Sequence, residues 1–143
     1  MMTDIAIRAA AAATFVWLGM VLAISFIEAP LKFRAEGLDL RVGLAIGRIV
    51  FRALNLVEVV WAVVIAMCLI IARPSNLVLA LAAAAAVVLV VQLLLVRPRL
   101  NARSTRVLAG EDAPRSRAHH AYIVCEVLKV VTLAALGGEL LSG

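Results

Sequence analysis

Apolar residues along this chain fall into four long blocks separated by short polar stretches. Leu, Val, Ala and Ile fill residues 9–28, 43–72, 77–97 and 118–138, each about as long as the roughly 20 residues that cross a bilayer as a helix, or longer. The pattern predicts an all-α fold, a bundle of four transmembrane helices forming a single domain over residues 1–143.

The first block is uncharged from Ala9 to Ile27 and broken only by Thr14 and Ser25. A signal peptide would open on a clear cationic region and end at a small-x-small site. Here Asp4 offsets Arg8 and the run ends at Glu28-Ala29-Pro30, so the block is predicted to be a retained span. Pro30 and the following Lys32-Phe33-Arg34 should stop that helix. The second helix is expected to begin between Leu40 and Gly43 and to run to Ala72. At 1.5 Å per residue that is about 45 Å, so its first turns, with Arg48, should lie at head-group level and Glu58 deeper.

Arg73-Pro74-Ser75-Asn76 reads as a tight turn, making the second and third helices antiparallel neighbours. The alanine run 82–86 in the third helix reads as a packing face, because small residues let helix backbones approach closely in lipid. Gln92 is the one polar interruption of that helix. Residues Arg97 to Ala118 are predicted to form the longest loop, broken at Gly110–Pro114, with Leu100–Leu108 as a short interfacial helix.

Polar positions inside the blocks are periodic too. Arg48, Arg52, Asn55 and Glu58 lie within roughly one third of the circumference of the second helix. On the fourth, His119, Tyr122, Glu126 and Lys129 form a stripe about 80° wide. Charged groups inside a bilayer usually face protein or water and pair with one another. Glu58 with Lys129, Glu126 with Lys129, and Glu28 with Arg48 or Arg52 are the expected pairs. Two readings stay open. In one, Glu28, Arg48, Arg52, Asn55, Glu58, His119, Tyr122, Glu126 and Lys129 line a polar cavity, open to the cytoplasm, that binds or passes a small polar solute or ion. In the other, the charges neutralise one another and only fix helix register.

Composition supports a membrane protein: 65% of the residues are hydrophobic, against about 45–50% apolar content in soluble domains. The net charge of +5 lies mainly between the blocks. Lys32, Arg34, Arg41, Arg97, Arg99, Arg103, Arg106, Arg115 and Arg117 flank one side, Arg8 and Arg73 the other. By the positive-inside rule, loops 29–42 and 97–118 face the cytoplasm and both termini are extracytoplasmic. Nucleic-acid binding is excluded as a reading, since no aromatic residues interleave the basic ones. Cys68 and Cys125 sit inside apolar blocks without a CxxC pairing, which argues against a disulfide framework.

His119 and His120 invite a metal reading, alongside Cys125, Glu126 or Met20. Adjacent histidines on a helix point about 100° apart, however, so head-group-level solvation of the helix start is the simpler reading. No metal site is therefore assigned. Trp17, Trp61, Met20 and Met67 read as packing or lipid-facing residues. No Ser-His-Asp pattern, glycine-rich phosphate loop or HExxH motif occurs, and the residues imply no cofactor. The expected partners are the lipid bilayer, a small polar solute or ion, and further copies of the chain in a homo-oligomer.

Two families come into view on particular residues. Phe26-Ile27-Glu28-Ala29-Pro30-Leu31-Lys32-Phe33, Gly47-Arg48-Ile49-Val50-Phe51 and Leu54-Asn55-Leu56-Val57-Glu58 resemble a family of small four-helix bacterial integral membrane proteins of unknown function. Asn101-Ala102-Arg103 and the His119-to-Lys129 stripe are similar to that family's second half. This resemblance implies a bacterial cytoplasmic (inner) membrane address and no activity. Arg52-Ala53-Leu54-Asn55-Leu56-Val57-Glu58 is also similar to the helix-two motif of the MAPEG family of membrane-associated proteins in eicosanoid and glutathione metabolism. That resemblance implies a homotrimeric thiol transferase with Arg52, Asn55 and Glu58 contacting glutathione. The chain departs from the MAPEG pattern in three ways: the Arg-to-Asn gap is one residue short, no proline follows Glu58 in the second helix, and the third helix offers no Arg or Tyr to activate a thiol.

Overall fold

The computed structural model describes residues 1–114 and 117–143. Arg115, counted above among the loop arginines, lies outside them. Four helices among the described residues are long and apolar enough to cross a membrane: α1 Met2–Lys32, α2 Leu40–Ala72, α3 Asn76–Leu108 and α4 Arg117–Ser142. No strand occurs among the described residues.

Each helix end has a local cause. Asp39 caps α2, its carboxylate accepting from the Arg41 N–H at 3.2 Å. The α2 C-terminus closes on Arg73, a non-glycine residue in the left-handed region (φ 47°), whose N–H donates back to the Leu69 carbonyl. Pro74 prevents continuation, and the Ser75 hydroxyl caps α3 by accepting from the Val78 N–H at 3.4 Å.

One proline behaves differently from what the sequence predicts. Pro98 does not end the third helix, which runs unbroken to Leu108, so most of the expected 97–118 loop is helical. A proline lacks the N–H for its own turn, and its ring presses on the carbonyl four residues back. Both Pro30 and Pro98 are preceded by a widened π-type turn, Leu22–Glu28 in α1 and Gln92–Val96 in α3. There the Ala29 N–H donates to the Ile24 carbonyl and the Arg97 N–H to the Gln92 carbonyl, five residues back instead of four. The extra width gives the ring room and the helix continues. At the other end of the chain, α1 begins at Met2, ahead of the expected residue 9.

Packing is uneven around the bundle. Helix α1 packs against both α2 and α4, and α4 packs against α3, whereas α2 and α3 meet more sparingly. The core comprises Trp17, Val21, Ile65, Leu69, Ala85, Leu89, Leu133 and Leu136 among others. Alanines 10, 11 and 13 bring α1 close to its neighbours. At Gly137 the fit is tighter still: a Cβ there would stand 2.6 Å from the Phe15 ring. Outward-facing positions carry large apolar side chains, Ile49, Leu56, Ile70 and Leu94 among them, as a lipid-facing surface requires.

Candidate functional site

One residue or more from each of the four helices meets near the helix midpoints. Lys129 of α4 donates to Glu58 Oε1 of α2 and to Glu126 Oε1 of α4, both at 2.7 Å. Gln92 of α3 donates from Nε2 to Glu126 Oε1 at 2.7 Å, and Trp17 of α1 donates from Nε1 to Glu58 Oε1 at 3.2 Å. The ion-pairing side chains are 0–3% exposed. This is the expected pairing of Glu58 and Glu126 with Lys129.

The charges in this network do not balance within it. Two carboxylates share one ammonium, and no other cation forms an ion pair with either glutamate among the described residues. Glu58 Oε2, Glu126 Oε2 and Gln92 Oε1 are buried with no donor among the described residues. Arg97 acts on Glu126 and Glu58 electrostatically without forming an ion pair with either.

The structure divides the predicted stripe of α2. Leu54, Glu58, Ile65 and Leu69 set its buried direction, and on a helical wheel Arg48 and Arg52 lie about 80° and 120° from Glu58. They accordingly face a different space. Arg48, Arg52, Asn55, Arg97 and Asn101 line a groove of about 950 Å³ between α2 and α3, together with Ile49, Ala53, Leu56, Val59 and Leu93. Arg48 also donates to Thr105 Oγ1 at 3.3 Å. The nine predicted residues therefore do not share one cavity, and Glu58 turns away from Arg52 and Asn55, the residues with which the MAPEG resemblance groups it.

The remaining predicted residues stand apart. Glu28 pairs with Lys32 one turn along α1, at 3.2 Å, and not with Arg48 or Arg52. Two residues of α1 in consecutive turns meet without help from any other helix, which makes this local pair available wherever α2 lies. Tyr122 stacks edge-on against Phe51, ring centroids 5.5 Å apart, and the Arg97 guanidinium covers both rings at 5.2 and 6.0 Å. His119 is half-buried on α4, its ring edge-on to His120 at 6.0 Å. No group of three or more His, Cys, Asp or Glu side chains is placed to hold a metal among the described residues.

Three participants escape a sequence reading. Trp17 looks like any apolar-block aromatic, and only its indole N–H, aimed inward, distinguishes it. Gln92 is visible as an isolated polar residue but has no spacing to name its partner. Arg97 is hidden by Pro98, which makes it read as a loop residue. No protein-family model, curated protein or solved structure matches this chain, so the two resemblances rest on the residues quoted for them alone.

Proposed function

We propose that this protein is a multi-pass protein of a bacterial cytoplasmic membrane, its arginine-rich end toward the cytoplasm, that holds a small ion on the Glu58–Glu126 pair. Ion binding there is one step in passing a small polar solute or ion. The observation that carries the reading is the unequal charge count in a closed space: among the described residues, two carboxylates, one ammonium and three acceptor oxygens without donors. An unmet buried acceptor costs about 1–3 kcal/mol, and more when charged. A proton on one carboxyl group, or a monovalent cation taken by the carboxylate and amide oxygens, supplies what is missing. Hard oxygen donors suit a hard cation.

Liposomes containing the purified protein and a pH- or alkali-cation-sensitive dye test this directly. The wild type is expected to pass or bind one of these ions, and Glu126→Gln to lose that response while keeping its helical spectrum. Dye traces indistinguishable from protein-free liposomes for every ion would end the proposal. A second reading, in which the network serves only to lock register, is favoured by its burial and by its reach across four helices. Under that reading no ion response appears. The orientation is checked separately, in cells, with an impermeant thiol reagent and a Cys68→Ala/Cys125→Ala background. Asn76→Cys should label from outside and Asp112→Cys should not.

A further inference from the structure

None of the ion-paired residues of the carboxylate network lines the groove between α2 and α3, and its chemistry has the opposite sign. Three guanidinium groups, from Arg48, Arg52 and Arg97, border it, and no carboxylate does among the described residues. Arg52 has no hydrogen-bond or ion-pair partner among the described residues. Arg97 is held in place by the Phe51 and Tyr122 rings, so presenting its fork costs little side-chain entropy. Asn55 and Asn101 add amide donors at the same rim. Planar guanidinium forks of this kind match the oxygens of a phosphate group.

The rest of the groove is apolar, and a second apolar recess follows along the same two helices. Val59 belongs to the basic recess, and Ala62, less than one turn further along α2, belongs to a second recess of about 510 Å³ between the same two helices. That continuation is lined by Ala62, Ala66, Leu79, Ala82, Ala83 and Ala86 among others, and Trp17 and Leu136 form part of its wall. Its only charged lining residue among the described residues is Arg73, at the far end of α2. One seam thus presents cations in one half and small apolar side chains in the other, and the bundle surface around it is apolar.

We infer that this seam binds an anionic amphiphile, a membrane lipid whose phosphate head group sits among Arg48, Arg52 and Arg97 and whose chain lies along the alanine-lined half. Basic pockets between transmembrane helices attract anionic head groups, and here the apolar continuation supplies the second half of the ligand's chemistry. A second copy of the chain docking here about a two-fold axis would set the same three arginines against themselves. A free phosphate would leave the continuation unused. The inference is independent of ion binding at Glu58 and Glu126, since none of the network's charged residues lines the groove.

Native mass spectrometry of the intact protein in mild detergent, titrated with phosphatidylglycerol and with phosphatidylcholine, reads the site. One phosphatidylglycerol is expected to be retained at least about tenfold more strongly than phosphatidylcholine. Arg52→Gln, at an exposed position, should remove most of that preference. Arg106→Gln, which alters an exposed arginine paired with Glu111 away from the groove, should leave it unchanged. Ala66→Phe and Ala83→Phe, both at exposed positions of the apolar half, should weaken lipid retention without lowering the helical content. Equal retention of the two lipids, or an equal loss in Arg106→Gln and Arg52→Gln, would overturn the assignment. So would displacement of the lipid by millimolar inorganic phosphate together with full retention in Ala66→Phe, which would mark a site for the free anion.

Discussion

At the scale of single residues, Lys129 decides the energetics of the interior. Its ammonium is fully buried and is the sole ion-pairing partner of two buried carboxylates among the described residues. Removing one member of a buried ion pair leaves an uncompensated charge and costs about 3–5 kcal/mol, whereas replacing the whole set by neutral groups of similar volume is often close to neutral. Lys129→Met alone is therefore expected to lower thermal stability in detergent by an amount of that order. Glu58→Gln/Glu126→Gln/Lys129→Met together should recover most of the loss. A triple variant as unstable as the single one would mean that the ammonium acts through packing and not charge. Trp17 contributes on a smaller scale. Trp17→Phe keeps the aromatic bulk but withdraws the indole donor from Glu58, and its expected cost is about 1.5–3 kcal/mol, read in the same melts. Lys129 and its two glutamates were legible from helical spacing because charge in an apolar block is conspicuous. The indole was not, since an apolar-block tryptophan has the same appearance whichever way its N–H points.

At the scale of elements, the helices are where periodicity reads well and proline reads poorly. The bounds of α2 follow from a cap, a left-handed stop and a proline, all local signals, and the expected end at Ala72 matches. In α3 the local rule fails at Pro98, because the stop it imposes is removed by one wide turn upstream, and nothing in the residue types around Gln92 announces that turn. The same blind spot displaced Arg97 from the candidate site. Helical continuation past Pro98 also leaves a periodic trace: Val96, Leu100, Arg103, Ser104 and Val107 are buried or half-buried, while Pro98, Arg99, Asn101, Ala102, Thr105 and Arg106 are exposed. Single cysteines or spin labels placed one by one over residues 97–108 should therefore show accessibility that repeats every 3.6 residues. A flat, uniformly accessible profile would restore the loop. The division of the α2 stripe has a similar origin. A one-third arc of helix surface can be shared between an interior and a groove, and spacing alone does not say where the boundary falls.

At the scale of the whole molecule, the four helices are joined by two kinds of tie with different consequences. Apolar packing is strong along α1–α2, α1–α4 and α4–α3 and weak along α2–α3. The polar network crosses the bundle, linking Glu58 on α2 to Gln92 on α3 through Lys129 and Glu126 on α4. If the chain is divided at the turn formed by Arg73, Pro74 and Ser75, one half carries α1 and α2 and the other α3 and α4. Reassembly then depends on the α1–α4 contact and on this network, because hydrophobic burial from water does not drive helices together inside lipid. Coexpressed halves are expected to co-purify. Lys129→Met in the second half should weaken that association by roughly a hundredfold or more, the equivalent of about 3 kcal/mol. Arg52→Gln in the first half, which touches only the groove, should leave it unchanged. The two substitutions therefore separate the tie that holds the bundle from the seam left open in it. Loss of association in Arg52→Gln but not in Lys129→Met would reverse those roles and place the assembly energy along α2–α3.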